Sequence, residues 1–189
     1  MKFEEKILNK QTIHRGNITE YELWQVELPD GKQAEREIVL HGDAAAVMAF
    51  DEQNRMIFVR QYRIAIQSET LEIPAGLIDE RDDSPLAAAR REFEEETGLF
   101  ASSMQRVTGF YHSPGFCDEY LHIFIAGDLE KVDEPLPQDD DEYIEVLALS
   151  YDEAQSYYEA GLICDSKTVY ALLYWRYLLD TGKMSREGA

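Results

Sequence analysis

The first clear pattern along the chain is a partial alternation of polar and apolar residues, which predicts a β-hairpin over residues 17–40. Tyr21 and Leu23 carry the apolar positions of its first strand. Pro29-Asp30-Gly31 supplies the residues of a tight turn, and the returning strand runs through 37–40.

Short apolar runs follow the hairpin. Residues 44–50 and 56–59 flank a polar tip at 51–54, which predicts two paired core strands. A further short strand at 70–73 ends at Pro74, because proline lacks the N–H that a ladder requires. More strands are predicted at 104–111, 119–126 and 143–149.

Helix signals begin at Ser84, a good N-cap, with Pro85 at the first helical position and Gly98 at the end. Two more helices are predicted near 151–160 and 166–180. Strands mixed with helices favour an α/β (α+β) layered fold. We expect an N-terminal antiparallel β subdomain at 1–41 and a main domain at 42–189.

The composition of the chain disfavours some classes of function. The 189 residues include 38 acidic and 18 basic ones, a formal net charge of −20. So few cations disfavour an extended basic surface, and therefore binding to nucleic acid or to anionic membranes. The excess carboxylate serves either solubility or the binding of divalent cations.

The N-terminus is charged, and no run of about 18 apolar residues occurs. We therefore expect no secretory signal, no membrane span and a cytoplasmic protein.

The two cysteines, Cys117 and Cys164, form no C-x-x-C pair and are expected to be ordinary thiols.

Candidate chemistry is concentrated in the helix at 84–98, where four glutamates occupy five positions. At about 100° per residue, Glu95 lies about −60° and Glu96 about +40° from Glu92, whereas Glu94 points elsewhere. Three like charges near a helix C-terminus are unfavourable unless something neutralises them. A hard cation such as Mg²⁺ would do so, and a solvated acidic face held by Arg90 and Arg91 is the alternative.

The stretch from Gly76 to Leu99 resembles the Nudix hydrolases, whose box reads G-x5-E-x7-R-E-U-x-E-E-x-G-U, with U apolar. Residues 91–99, REFEEETGL, match the second half at every defined position. The first half contains one extra residue, most simply within 81–84. Either Asp82 or Asp83 then takes the place of the first box glutamate.

Further segments resemble one branch of that superfamily, the ADP-ribose pyrophosphatases. They are the lead-in LEIPAG at 71–76, RQYR at 60–63, REI at 36–38 and SPGF at 113–116. Pro114 lies sixteen residues after Gly98, the position of the branch's usual proline, although an ordinary turn would also explain it.

The resemblance implies a Nudix α/β/α sandwich with a mixed sheet. It also implies Mg²⁺-dependent hydrolysis of ADP-ribose to AMP and ribose 5-phosphate. Two or three Mg²⁺ ions are expected, with Mn²⁺ as a substitute. The implied metal ligands are the Ala75 carbonyl, Glu92, Glu95 and Glu96, with Glu95 also counted as catalytic.

The resemblance also implies a general base and a dimer. The general base is expected in the acidic loop 139–142, with Glu142 favoured and Asp140 second, unless this loop is only a solvated acidic segment. Arg36 and Arg63 are candidates for contacts with phosphate or ribose, since a bidentate guanidinium suits both. Trp24 is a candidate platform for adenine, unless it is an ordinary core aromatic, and Pro114 is a further candidate contact. A homodimer is implied, in which the N-terminal strands exchange.

Two other functions stay open. One is a Nudix hydrolase of another nucleotide sugar, such as GDP-mannose. The other is an ADP-ribose sensor that binds without cleaving, which the full set of glutamates in the second half of the box disfavours.

Overall fold

The computed structural model describes residues 1–138 and 143–185, which form two compact units. The first unit combines Met1–Asp43 with Gly109–Leu121. The second combines Ala44–Thr108 with the chain from His122 onward.

The first unit contains an antiparallel sheet in the order β1–β2–β3, formed by Lys6–Arg15, Thr19–Glu27 and Gln33–His41. The predicted hairpin of β2 and β3 is confirmed, and its turn contains Gly31 at φ 83°, a conformation that glycine adopts at little cost. The segment at 109–121 joins this unit through the Val39 amide, which donates to the Phe116 carbonyl.

Strand β1 was missed by the sequence analysis. All ten of its residues are exposed, so the strand has no buried face that would require alternating apolar and polar residues. It pairs with β2 through backbone hydrogen bonds and is interrupted by register shifts between Ile7 and Asn9 and between Thr12 and His14.

The second unit carries two sheets, in the orders β10–β5–β6 and β7–β4–β9–β8. Strands β8 and β9 extend at one end into the segment assigned to the first unit. The strands are β4 (Ala44–Ala49), β5 (Met56–Arg63), β6 (Ser68–Glu72), β7 (Ala75–Leu77), β8 (Leu99–Tyr111), β9 (Tyr120–Lys131) and β10 (Glu145–Leu149).

The strands at 44–50 and 56–59 were predicted to pair with each other, and this is wrong for most of their length. They lie in different sheets, although an isolated antiparallel bridge joins Phe50 to Met56. Residues 44–49 and 56–59 are all buried, so an apolar run identifies each as a core strand without indicating its neighbour.

In the described part of the second unit there are three helices, and all three were predicted: α1 (Pro85–Thr97), α2 (Tyr151–Glu159) and α3 (Ser166–Asp180). Helix α1 begins at Ser84, whose side chain accepts from the Ala87 amide, and ends at Gly98 at φ 67°. Its buried face, with Ala89 and Phe93, packs in the same core as Val47 on β4.

The predicted combination of strands and helices is confirmed. Within the described residues, no helix has both the length and the apolar character needed to cross a membrane.

Candidate active site

Two glutamates of α1, Glu92 and Glu96, face the segment at the start of β7. Glu96 is buried, and its Oε2 accepts a hydrogen bond of 3.0 Å from the Ala75 amide. The predicted ligands Ala75 and Glu96 are therefore adjacent, although one is 21 positions earlier in the chain.

Glu92 lies against the next residue of that segment. A Cβ added at Gly76 would lie 2.0 Å from the Glu92 carboxyl carbon, so a side chain there would displace the carboxylate. Glycine at this position thus lets the helix bring Glu92 onto the backbone of β7.

Arg91 links the carboxylates of Glu92 and Glu95. One terminal nitrogen, Nη1, donates to Glu92 Oε1 at 2.8 Å and to Glu95 Oε2 at 2.7 Å. The other, Nη2, donates to the Leu77 carbonyl at 3.0 Å. The guanidinium therefore orients both glutamates and ties them to β7.

Asp82, one of the two candidates for the place of the first box glutamate, pairs with Arg91. Both Asp82 oxygens accept from Arg91, Oδ1 from Nε at 3.0 Å and Oδ2 from Nη2 at 2.8 Å. This bidentate contact lowers the pKa of Asp82. In turn Asp82, followed by the charges of Glu92 and Glu95, raises the pKa of Arg91 above its usual value. The loop before α1 therefore accommodates the extra residue while Asp82 and Arg91 remain paired.

Arg63, predicted to contact substrate, holds a neighbouring buried carboxylate. Its Nε and Nη2 donate to the two oxygens of Glu72, each at 2.8 Å, while nearly half of its side chain stays exposed. Burial alone would raise the pKa of Glu72. Hydrogen bonds from Arg63 and Thr70, together with Lys167, outweigh burial and lower this pKa to about 2.

Sequence reasoning missed the residues around this pair. Glu72 is 2% exposed and also accepts from Lys167, which lies in the first turn of α3. The available signal was a glutamate inside an apolar strand, directly before Ile73 and Pro74. A buried charge of this kind requires a partner, but nothing in the local sequence indicates a lysine 95 positions later.

The donor set suits Mg²⁺, since carboxylate and carbonyl oxygens are the ligands that hard cations prefer. The chain's own contacts occupy these donors in the structure. Arg91 bridges Glu92 and Glu95, and the Ala75 amide holds Glu96. Among residues 1–138 and 143–185, no three His, Cys, Asp or Glu side chains are already gathered as a metal-binding cluster.

The candidate bases Asp140 and Glu142 lie outside the described residues. The chain before them is attached to α1. The Leu136 amide donates to Glu94 Oε1 at 3.2 Å, and the Gln138 side chain donates to the Glu96 carbonyl at 3.2 Å.

Three predicted substrate contacts belong to the first unit. Trp24 donates its indole N–H to Glu22, and the Lys10 ammonium lies 3.9 Å from the centroid of its ring. Arg36 forms a bidentate pair with Glu5. Pro114 is exposed in a turn. The Trp24 ring face is thus covered by a cation, and the Arg36 guanidinium is already paired.

An open cleft of about 490 Å³ lies elsewhere in the second unit. Phe50, Asp51, Asn54, Ser103 and Asp128 are among the residues that line it, and none of the predicted site residues does. The candidate active site is therefore the groove between α1 and β7 rather than this cleft.

Residues 40–171 match the family described as NUDIX domain, so the chain belongs to the NUDIX family. A crystal structure of an ADP compounds hydrolase superposes with a TM-score of 0.82 at 24% identity, over 96% of this chain and 97% of that one. This likeness confirms the predicted Nudix α/β fold.

Relatives of similar length carry several functional names. The ADP-ribose pyrophosphatase of Bacillus subtilis is 40% identical, over 90% of this chain and 92% of its own. The methanol dehydrogenase activator of Bacillus methanolicus is also 40% identical, over 91% and 92%. The GDP-mannose pyrophosphatase of Cronobacter sakazakii is 34% identical, over 89% and 91%.

Proposed function

We propose that this protein hydrolyses the pyrophosphate of ADP-ribose, yielding AMP and ribose 5-phosphate. The observation that carries the proposal is the convergence of the α1 carboxylates on the Ala75–Gly76 backbone, with Glu96 on one residue and Glu92 on the next. The name of the Bacillus subtilis relative supports ADP-ribose as the substrate.

In this proposal, Glu92, Glu95, Glu96 and the Ala75 carbonyl would hold two or three Mg²⁺ ions, with Mn²⁺ as a substitute. Bound cations would neutralise the pyrophosphate and make a water molecule nucleophilic. Arg91, held by Asp82, keeps Glu92 and Glu95 aligned, and a base at 139–142, with Glu142 favoured, takes the proton from that water. One bridging P–O bond breaks as the water oxygen bonds to phosphorus.

Substrate binding is proposed to use Arg63 for the phosphates, since its exposed guanidinium is oriented by Glu72. Arg36, Trp24 and Pro114 would contact phosphate, ribose or adenine in a pocket built from two chains. The protein would therefore act as a homodimer, and we place it in the cytoplasm.

The test is product analysis with purified protein and Mg²⁺, offering ADP-ribose and GDP-mannose in parallel reactions. We expect AMP from ADP-ribose, little product from GDP-mannose, and no reaction in EDTA. Persistent turnover in EDTA would contradict the metal-dependent mechanism.

A hydrolase of GDP-mannose is the second candidate, favoured by the name of the Cronobacter sakazakii relative. Preferential cleavage of GDP-mannose would keep the site and change the substrate. Tight calorimetric binding of ADP-ribose without turnover would instead indicate a sensor.

A further inference from the structure

Three different elements of the second unit form hydrogen bonds with the short segment Ile73–Ala75. Each of its three residues uses one backbone group, and each group bonds to a different element. The bonds join Ile73 N to Thr168 Oγ1 on α3 at 3.1 Å, Pro74 O to Val47 N on β4 at 2.9 Å, and Ala75 N to Glu96 Oε2 on α1 at 3.0 Å.

The bond to α3 is fully buried. Neither Ile73 nor Thr168 has any exposed surface, so the Ile73 amide cannot turn to water if the hydroxyl is removed. A buried amide without an acceptor is costly, and the backbone would shift to find another partner. A shift at Ile73 would reach Ala75, two residues later.

The residue before Thr168 makes a parallel connection. The Lys167 ammonium donates to Glu72, directly before Ile73, and to Asp165 Oδ1 at 3.0 Å. Glu72 is 2% exposed and is clamped from the other side by Arg63. Helix α3 therefore contacts the first residue of the segment through a hydroxyl and the residue just before the segment through a charge.

We propose that Thr168, together with Lys167, is a positioning residue of the cation site, holding the Ile73–Ala75 backbone where Ala75 and Glu96 can share a cation. The inference rests on the proposed function, because it presumes that the cation binds there. Neither side chain would touch the cation or the substrate. Both act through the segment they hold.

The test uses Mn²⁺ alone, titrated into the full-length protein and followed by the electron paramagnetic resonance of free Mn²⁺. Thr168→Val keeps the shape of the side chain but removes the acceptor. We expect it to raise the Mn²⁺ dissociation constant by about tenfold, a typical result of losing a group that orients a metal ligand. Thr168→Ser, which keeps the hydroxyl, should restore most of the affinity.

The matched control is Thr181→Val, the same substitution at the other end of α3. The Thr181 hydroxyl bonds only within its own helix end, to the Tyr177 and Leu178 carbonyls, so Mn²⁺ affinity should not change. Lys167→Met is the second variant and should also weaken binding, even if Thr168→Val does not fold. Circular dichroism confirms that each variant is folded.

Wild-type affinity in folded Thr168→Val and Lys167→Met would overturn the inference while leaving the proposed function intact. If the wild-type protein itself binds no Mn²⁺, the cation site is wrong and the inference fails with it. A fall in activity alone, with unchanged Mn²⁺ binding, would likewise count against a positioning role at the cation site.

Discussion

At the scale of single residues, Glu96 has the most demanding position. It is almost completely buried on α1, yet its carboxylate reaches the backbone of a strand that begins 21 residues earlier. A carboxylate in such a place is costly unless a cation or strong donors compensate it. The Ala75 amide supplies one such donor, and the proposed cation would add positive charge next to the carboxylate.

Replacing Glu96 with Gln should lower kcat for ADP-ribose by at least about a hundredfold while the protein stays folded. Glutamine keeps an oxygen for the Ala75 amide but removes the negative charge that a cation requires. Steady-state kinetics, with the melting temperature as a check on folding, measures the effect.

Glu94→Gln is the matched control, because it makes the same change on the same helix at a position that bonds the Leu136 amide. We expect activity within about a factor of two or three, since Glu94 points away from the face that Glu92, Glu95 and Glu96 share. Near-normal turnover in Glu96→Gln would show that Glu96 is not a metal ligand.

Glu72 provides a prediction on pH. Its pKa is lowered from 4.5 to about 2 in the folded protein, which corresponds to about 3 kcal/mol of stability at neutral pH. Because the folded pKa is the lower one, this contribution is complete above about pH 5 and is lost as the pH falls towards 2.

Glu72→Gln should therefore be less stable than the wild type at pH 7, and the difference should shrink between pH 5 and pH 2. Urea unfolding at a series of pH values gives the two free energies. A difference that stays constant over this range would mean that the Arg63 and Lys167 contacts do not lower the Glu72 pKa.

At the scale of elements, helix α1 and the loop before it form one unit through Arg91. The loop contributes Asp82, β7 contributes the Leu77 carbonyl, and the helix contributes Glu92 and Glu95. The Asp82 side chain is 3% exposed, so solvent screens this ion pair only weakly. Arg91 thus links the loop, strand β7 and helix α1 through its hydrogen bonds.

Asp82→Asn should lower the free energy of unfolding by about 2 kcal/mol, because Arg91 loses a buried charged partner. It should also weaken catalysis, since Glu92 and Glu95 lose part of their orientation. Asp83→Asn, an exposed neighbour, is the control and should change stability by less than about 0.5 kcal/mol. Equal effects of both changes would argue against Asp82 as the box residue.

At the scale of the whole molecule, the first unit presents an edge strand with no burial. Every residue of β1 is exposed, including Leu8 and Ile13, which lie at the two register shifts. A long exposed edge strand with apolar side chains is a site for pairing with another chain. This favours the proposed homodimer.

Light scattering should therefore give a mass of about 44 kDa, twice the 21.8 kDa of one chain. Ile13→Lys should shift the protein towards the monomer, because it places a charge among the apolar positions of β1. Gln11→Lys on the same strand is the control, since it replaces one polar side chain by another. A wild-type mass of one chain would contradict the dimer.

Local patterns determined much of this protein in advance. Each cap of α1, Ser84 at one end and Gly98 at the other, involves only residues close to it in the sequence. The patterns that predict the helices and the β2–β3 hairpin are equally local. The shared face of Glu92, Glu95 and Glu96 follows from helix periodicity alone, which is why the candidate site could be located from the sequence.

Only the tertiary structure decided the long-range pairings. It paired Asp82 with Arg91, separated β4 and β5 into different sheets, and joined Glu72 to Lys167 across 95 positions. Periodicity reports which residues face a core, but not which distant segment supplies the other side of it. A buried charge or a strand edge finds its partner by packing, and that choice is made only when the whole chain is folded.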